Sequence, residues 1–284
     1  MRQPEPLEDD MQTLPLSQAL GAEVVDFEPP SEWTDEQIAE LRAAFREHHL
    51  LLFRQPDLPP ENQVALIRAL GLKPDAWKDG KEYGILSNTR PEAPNYGKHN
   101  PYLFHSDLTW KDTPIAAISL YALVLPNESA PTDFANGVRA ADSIPSELHK
   151  QFEDAEALFL IDFSGGDSRY SEDTASPDAP RATQKVLYPE PISGKDSLII
   201  DELFMDKVVG WSRDESEDAR RRAHEHLYAP DNVYRHEWEV GDLVVWNNLS
   251  LQHGRPELPA TGERTHRRVS GSHAGIQHWE ASNH

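Results

Sequence analysis

Cysteine is absent from all 284 residues, and that absence closes several routes at once. Disulfides, thiolate zinc sites, iron–sulfur clusters and cysteine nucleophiles are excluded. Any metal must therefore be held by His, Asp or Glu. Long apolar stretches are missing as well: no run approaches the ~20 residues that a membrane-spanning helix needs. The opening residues, Met1-Arg2-Gln3-Pro4-Glu5-Pro6, carry no apolar segment of the kind found in signal peptides, so a cytoplasmic protein is expected. Positive charge is also scarce. Lys and Arg number 27 against 49 Asp and Glu, a net charge of −22. Such an excess repels phosphate backbones and anionic headgroups, so neither nucleic acid nor membrane is an expected partner. An anionic small molecule would need locally concentrated arginines, and Glu263-Arg264-Thr265-His266-Arg267-Arg268 supplies a cluster.

Against that background stands His105-Ser106-Asp107, with His253 far downstream. On a strand, residues i and i+2 share a face, so an imidazole and a carboxylate at this spacing can converge on one ion. A second histidine from another strand would complete the two-His, one-carboxylate set of non-haem Fe(II) oxygenases, which leaves coordination positions open. His-x-Asp alone is weak evidence, and its value depends on the surrounding chain.

The periodicities place that motif in a mostly β chain with flanking helices. Residues 1–15 are acidic and Pro-rich and are expected to be poorly ordered. Residues 21–27 read as a strand. Thr34 caps a helix with Gln37 at the capping-box position, and Ile38, Leu41, Ala44 and Phe45 recur at helical spacing. His49 to Arg54 is an apolar strand, and a second helix runs from about Pro60 to a stop at Gly71. From residue 101 the pattern is largely β, with apolar runs at 115–125, 198–200 and 243–248, helical segments at 138–154 and 214–227, and a last strand near 266–270. Residues 164–184, rich in Ser, Gly, Asp and Pro, read as a mobile insertion with the character of a lid. No internal repeat or composition break divides the chain, so one domain over 1–284 is expected.

Taken together, these blocks resemble the taurine/2,4-D dioxygenase family of Fe(II)- and 2-oxoglutarate-dependent oxygenases. The resemblance is carried by Leu20-Gly21-Ala22-Glu23-Val24, His49-Leu50-Leu51-Leu52-Phe53-Arg54 and Phe104-His105-Ser106-Asp107-Leu108-Thr109-Trp110. It continues through Trp238-Glu239-Val240-Gly241-Asp242-Leu243-Val244-Val245-Trp246-Asn247-Asn248 and His253 to Arg264 and Arg268. It implies a double-stranded β-helix (jelly-roll) core, iron held by His105, Asp107 and His253, and 2-oxoglutarate and O2 as co-substrates. It further implies that Arg264, eleven residues after His253, pairs with the distal carboxylate of 2-oxoglutarate, a task that suits a bidentate guanidinium. Thr132 falls where family members place a threonine on the same carboxylate, although Ser129-Ala130-Pro131 replaces the glycines usual there. Arg268 takes the place of an arginine that contacts a substrate anion, and Asn100 and Tyr102 are expected to border the pocket. Related halogenases carry a small residue at the position of Asp107, so its carboxylate points away from halogenation.

The expected activity is thus oxidation, by default hydroxylation, of a small anionic molecule with release of succinate and CO2. Desaturation, cyclisation or C–N oxidation on the same centre is the alternative within the class. A cupin-like binding protein without turnover and a zinc hydrolase are alternatives outside it, and neither has a use for a carboxylate clamp at Arg264. His224-x-His226 lies in a helical stretch, where i and i+2 do not face each other. Trp238 and Trp246 are expected in the core, and His48, His49, His266 and His273 are expected to be structural. The family often forms homo-oligomers.

Overall fold

The computed structural model describes residues 11–54, 57–77, 79–89, 101–162, 170–257 and 262–273. The chain opens with strands β1 (Gln12–Pro15) and β2 (Ala22–Val25), helix α1 (Asp35–His48), β3 (Leu50–Arg54) and α2 (Pro60–Ala69). Then come β4 (Lys73–Pro74), β5 (Gly84–Ser87), β6 (Tyr102–His105), β7 (Ala117–Val124) and β8 (Thr132–Asn136). Two short helices, α3 (Gly137–Ser143) and α4 (Ser146–Phe152), lead to β9 (Glu156–Leu160), β10 (Arg181–Lys185), β11 (Leu187–Glu190), β12 (Lys195–Leu198) and β13 (Met205–Val208). Helix α5 (Arg213–Leu227) precedes β14 (Val233–His236), β15 (Asp242–Asn247), β16 (Leu251–Arg255) and β17 (Thr265–Ser272).

Two sheets form the jelly roll. The larger runs β1-β2-β3-β15-β7-β17-β4, with β5 also on β17, and the smaller runs β14-β8-β16-β6. The larger sheet is buried on both faces, and strand alternation decides which residues go where. Leu50, Leu52, Ile118, Val244 and Trp246 meet Phe134 and Leu251 of the smaller sheet in one cluster. Their neighbours Leu51, Phe53, Tyr121, Leu243 and Val245 pack with Leu41 and Phe45 of α1 and Leu66 and Ile67 of α2 in another. A third cluster joins α3, α4 and α5 to β9 and to residues 198–208. No helix among the described residues is long and apolar enough to cross a membrane.

Local chemistry accounts for the helix starts. Thr34 Oγ1 accepts from Gln37 N, and the Gln37 side chain accepts from Thr34 N, closing the capping box expected from the sequence. Ser212 and Glu215 form the same device at α5. The helical segment expected over 138–154 is two helices, because Pro145 has no N–H and interrupts the ladder.

Two expectations about loops need correction. Residues 12–15 do not belong to a poorly ordered N-terminus: they pair antiparallel with β2, and Met11 N donates to Glu40 Oε2 of α1 at 3.2 Å. The insertion at 164–184 is also too long at its C-terminal end, since Arg181–Lys185 pairs with β9 from Arg181↔Leu160 to Lys185↔Glu156. Arg181-Ala182-Thr183-Gln184-Lys185 alternates outward and inward and buries only Ala182 and Gln184, so its β pattern is short and weakly apolar. Residues 164–169 of that expected insertion lie outside the described residues.

Candidate metal centre

His105 and His253 are brought together by sheet register: β16 pairs with β6, and the two histidines are direct partners across the strands. Their ring centroids lie 4.3 Å apart. Asp107 arrives differently from what strand alternation suggests. Strand β6 ends at His105, and Asp107 lies beyond it in a turn whose next residue, Leu108, has φ 59°. That left-handed conformation is uncommon for a non-glycine residue. Asn248 holds the turn in place. Its Oδ1 accepts from Asp107 N at 2.9 Å, while its Nδ2 donates to the carbonyls of Asp107 and Ile115 at 3.0 and 2.8 Å. The second asparagine of Trp246-Asn247-Asn248 therefore sets the position of a ligand 141 residues away.

One ligand atom from each of His105, Asp107 and His253 can be chosen so that all lie within 4.8 Å of one another. The donor chemistry fits a cation. A carbonyl can only accept, so His105 Nδ1–H donates to Leu103 O at 2.8 Å, which leaves Nε2 as a lone-pair donor. That Nε2 lies 3.1 Å from Asp107 Oδ1, so two lone-pair atoms face each other and require a proton or a metal ion. His253 Nε2 is 3.9 Å from the same oxygen. Burial, with the neighbouring His105 and Arg268, holds His253 down at about 3 against the pull of Asp107, which keeps it neutral as a metal ligand must be. Burial alone would raise the Asp107 carboxyl. Arg268, the His105 hydrogen bond and His253 outweigh it and hold the group well below the usual carboxylate range.

These three side chains line one cavity that opens to solvent, together with Thr132, Tyr102, Arg255, Arg264, Arg268 and an apolar wall that includes Ile118, Leu120 and Trp246. Arg264 lines it with Nε buried and without an acceptor. Burial, with nearby Arg255 adding to it, draws its guanidinium down to about 10. A buried cation without an acceptor calls for an anion. Thr132 Oγ1 accepts from Trp238 Nε1 at 2.9 Å, which leaves the hydroxyl proton available as a donor.

Arg268 lines the cavity and also has a partner that sequence reasoning did not foresee: its Nη2 donates to Asp107 Oδ2 at 2.5 Å. Oδ1 thereby faces the histidines and Oδ2 the arginine, so one carboxylate can serve both. Arg267 is settled by strand alternation. It faces α2, where Nε donates to Gln63 Oε1 and Nη2 to Leu58 O, both at 2.7 Å, with its guanidinium 4.7 Å from the centre of the Tyr121 ring. Tyr102 meets the His105 ring edge-on at 4.6 Å, whereas Asn100 lies outside the described residues. Trp238 and Trp246 are buried, as are His49 and His266. His224 Nε2 lies 3.0 Å from Ile200 O, away from any metal cluster among the described residues. Two residues went unnoticed in the sequence: Asn248, hidden inside a motif read for its strand, and Arg255, two positions past His253.

Comparison with known proteins agrees with this geometry. Residues 12–270 match the model of the family described as "Taurine catabolism dioxygenase TauD, TfdA family". An alkylsulfatase of Acinetobacter baylyi is 27% identical over 262 residues, covering 86% of this chain and 79% of the relative. The (S)-phenoxypropionate/alpha-ketoglutarate-dioxygenase of Sphingobium herbicidovorans is 26% identical over 281 residues, covering 92% and 95%. Among solved structures, AAD-2 in complex with Mn(II) and N-oxalylglycine superimposes with a TM-score of 0.78 at 21% identity, covering 94% of this chain and 100% of that one. A taurine dioxygenase from Burkholderia xenovorans gives a TM-score of 0.76 at 21% identity, covering 93% and 91%. The chain belongs to the TauD, TfdA family of Fe(II)- and 2-oxoglutarate-dependent dioxygenases.

Proposed function

We propose that this enzyme hydroxylates a small anionic organic molecule, with His105, Asp107 and His253 as the iron ligands, Arg264 and Thr132 on the distal carboxylate of 2-oxoglutarate, and Arg268 and Tyr102 beside the substrate. The observation that carries the reading is Arg264. A buried guanidinium without an acceptor at Nε shares a cavity with the two-His, one-Asp cluster. A metal-binding protein without turnover has no need of it, and neither does a zinc hydrolase. The anionic character of the substrate is supported by the three arginines against one carboxylate in the cavity lining. The names of the alkylsulfatase and the phenoxypropionate dioxygenase point the same way.

When bound, Fe(II) and 2-oxoglutarate supply the activation of O2: one oxygen atom enters the substrate C–H bond and the other leaves in succinate, with CO2 released. The chain's own residues prepare the ground for that chemistry. His253 stays neutral and Asp107 ionised, so no ligand of this pair waits on a proton. Asn248 and Arg268 fix the two sides of Asp107. Leu120, Trp246 and Ile118 wall the site with apolar surface that keeps bulk water from the reacting C–H bond.

The test is a succinate-release screen across sulfonates, sulfate esters, aryloxy acids, amino acids and phosphonates, run with Fe(II) and with Zn(II). Succinate above the substrate-free rate with at least one anion, and none with Zn(II), is expected. Arg264→Ala should lose 2-oxoglutarate affinity by roughly 10- to 100-fold, the range for a charged hydrogen bond. Unchanged affinity in that variant would remove the support for the reading. Desaturation or cyclisation would register as succinate formed without a hydroxylated product.

A further inference from the structure

One wall of the cavity, from the metal ligands to Arg268, is apolar. Leu120 is the direct partner of Arg268 across β7 and β17, and Ile118, on the same face of β7, pairs with Trp246 of β15. The Trp246 ring lies 5.0 Å from that of His253. On the other side of β17, Leu86 of β5 pairs with His266. These four apolar side chains all line the cavity, and Leu86 and Leu120 are only half-buried. An apolar strip thus joins a metal ligand to Arg268. Among the described residues the lining holds one carboxylate, Asp107, and both of its oxygens are engaged. Oδ2 accepts from Arg268 at 2.5 Å, and Oδ1 faces His105 Nε2 at 3.1 Å.

We infer that the substrate is a monoanion with an apolar organic body, and that Leu120 and Leu86 select it over zwitterions of the same size, such as aminosulfonates and amino acids. This selectivity rests on the reading under Proposed function that places the substrate beside Arg268. An anion held by Arg268 has Leu120 as its immediate neighbour, so its organic body lies along the strip toward Trp246 and the metal ligands. Covering the half-buried leucines with hydrocarbon removes apolar surface from water and favours binding. An ammonium group in the same place would be desolvated against leucine, isoleucine and tryptophan, with no further carboxylate among the described lining residues to receive it. It would also stand near the guanidinium of Arg268 and a bound metal cation, and both repel it.

The experiment sets apolar acids against isosteres in which the terminal methyl is an ammonium: propane-1-sulfonate against taurine, propyl sulfate against 2-aminoethyl sulfate, and pentanoate against 4-aminobutanoate. Calorimetric titration of the full-length protein loaded with Mn(II) and 2-oxoglutarate reads affinity, and succinate release with Fe(II) reads turnover. In at least one pair the apolar acid should bind about tenfold or more tightly than its isostere. Longer alkyl chains on that head group should gain about fourfold per methylene until the strip is covered. Leu120→Ser, with thermal melts as a check on folding, should weaken the apolar acid and leave the amino isostere unchanged. Equal or tighter binding of the amino isosteres by wild type overturns the selectivity, and so does failure of every apolar acid to bind. Equal weakening of both classes in Leu120→Ser overturns the part given to Leu120. Failure of the wild-type protein to bind 2-oxoglutarate at all would instead bring down the functional reading, and the selectivity with it.

Discussion

Metal binding to this site should release no more than one proton per ion, even in mildly acidic solution. Two ordinary imidazoles with pKa near 6.5 are each roughly nine-tenths protonated at about pH 5.5, so a metal ion displacing both protons would release about 1.8. In this protein His253 is held at about 3 by burial and by the charges of His105 and Arg268. Asp107 is held well below the usual carboxylate range. Neither has a proton to lose at pH 5.5, which leaves the single proton that His105 could contribute. The same arithmetic governs affinity. Each ordinary imidazole weakens binding roughly tenfold between about pH 7.5 and pH 5.5, because about nine-tenths of it must first be deprotonated. Two would cost about a hundredfold, and His253, already neutral, should contribute nothing to such a loss here.

Isothermal titration with Mn(II) reads both quantities, since repeating it in buffers of different ionisation enthalpy separates proton release from binding heat. Mn(II) is preferred because it does not oxidise during the titration and its bound water does not ionise in this range. Release of more than one proton at pH 5.5 would refute the argument that burial and Arg268 keep His253 neutral.

Asn248→Ala removes three hydrogen bonds around Asp107 and should weaken metal binding by roughly 10- to 100-fold, as loss of an outer-shell partner does. An unchanged metal affinity would show that the turn at Leu108 holds itself. Thr132→Val leaves the Trp238 indole N–H buried without its acceptor, so urea unfolding should show a loss of about 1–3 kcal/mol, much of it recovered in the Thr132→Val/Trp238→Phe double variant. Additive losses would mean that the bond contributes nothing. His49 is held at about 4 by burial, with Lys195 and His48 adding and Glu190 opposing. Its folded value is depressed, so as pH falls the unfolded chain takes up the proton first. Stability is then lost from about pH 6.5 down to about pH 4 and is level below that. His49→Asn keeps the left-handed φ of 62° that Asn tolerates. Between pH 7.5 and 5 the variant should lose about 2 kcal/mol less stability than wild type; parallel curves would count against the assignment.

Much of the site could be read from the chain because its parts are encoded in strand patterns and turn residues close to the ligands. The apolar runs at 49–54 and 243–248 became adjacent strands of the larger sheet, and Gly241, with φ 93°, stands at the entry to β15. Loops fared worse. Residues 12–15 and 181–185 have few apolar side chains, and their strands exist because the backbone pairs with β2 and β9. That stabilisation leaves little periodicity in a sequence. Arg255 and Asn248 were missed for a related reason. Each acts on a residue remote in the chain, and no local spacing announces it.

The reason His105 and Asp107 share a site also differs from the one their spacing suggests. Alternation along a strand would place both on one face, but β6 stops at His105. The carboxylate is carried by a turn that takes Leu108 to φ 59° and depends on Asn248, which lies 141 residues further along the chain. What strand geometry supplies is the pairing of the histidines, direct neighbours across β6 and β16. The two kinds of support have different consequences. Histidine positions are tied to the sheet and should survive any change that leaves its register intact. Asp107 depends on a few hydrogen bonds and on Arg268, so changes at Asn248 or Arg268 should reach the metal through the carboxylate. Because Arg268 lines the cavity as well as gripping Asp107, an anion that competes for its guanidinium would alter the hold on a metal ligand. On the proposed reading of the site, substrate binding and metal geometry would be coupled through that one side chain.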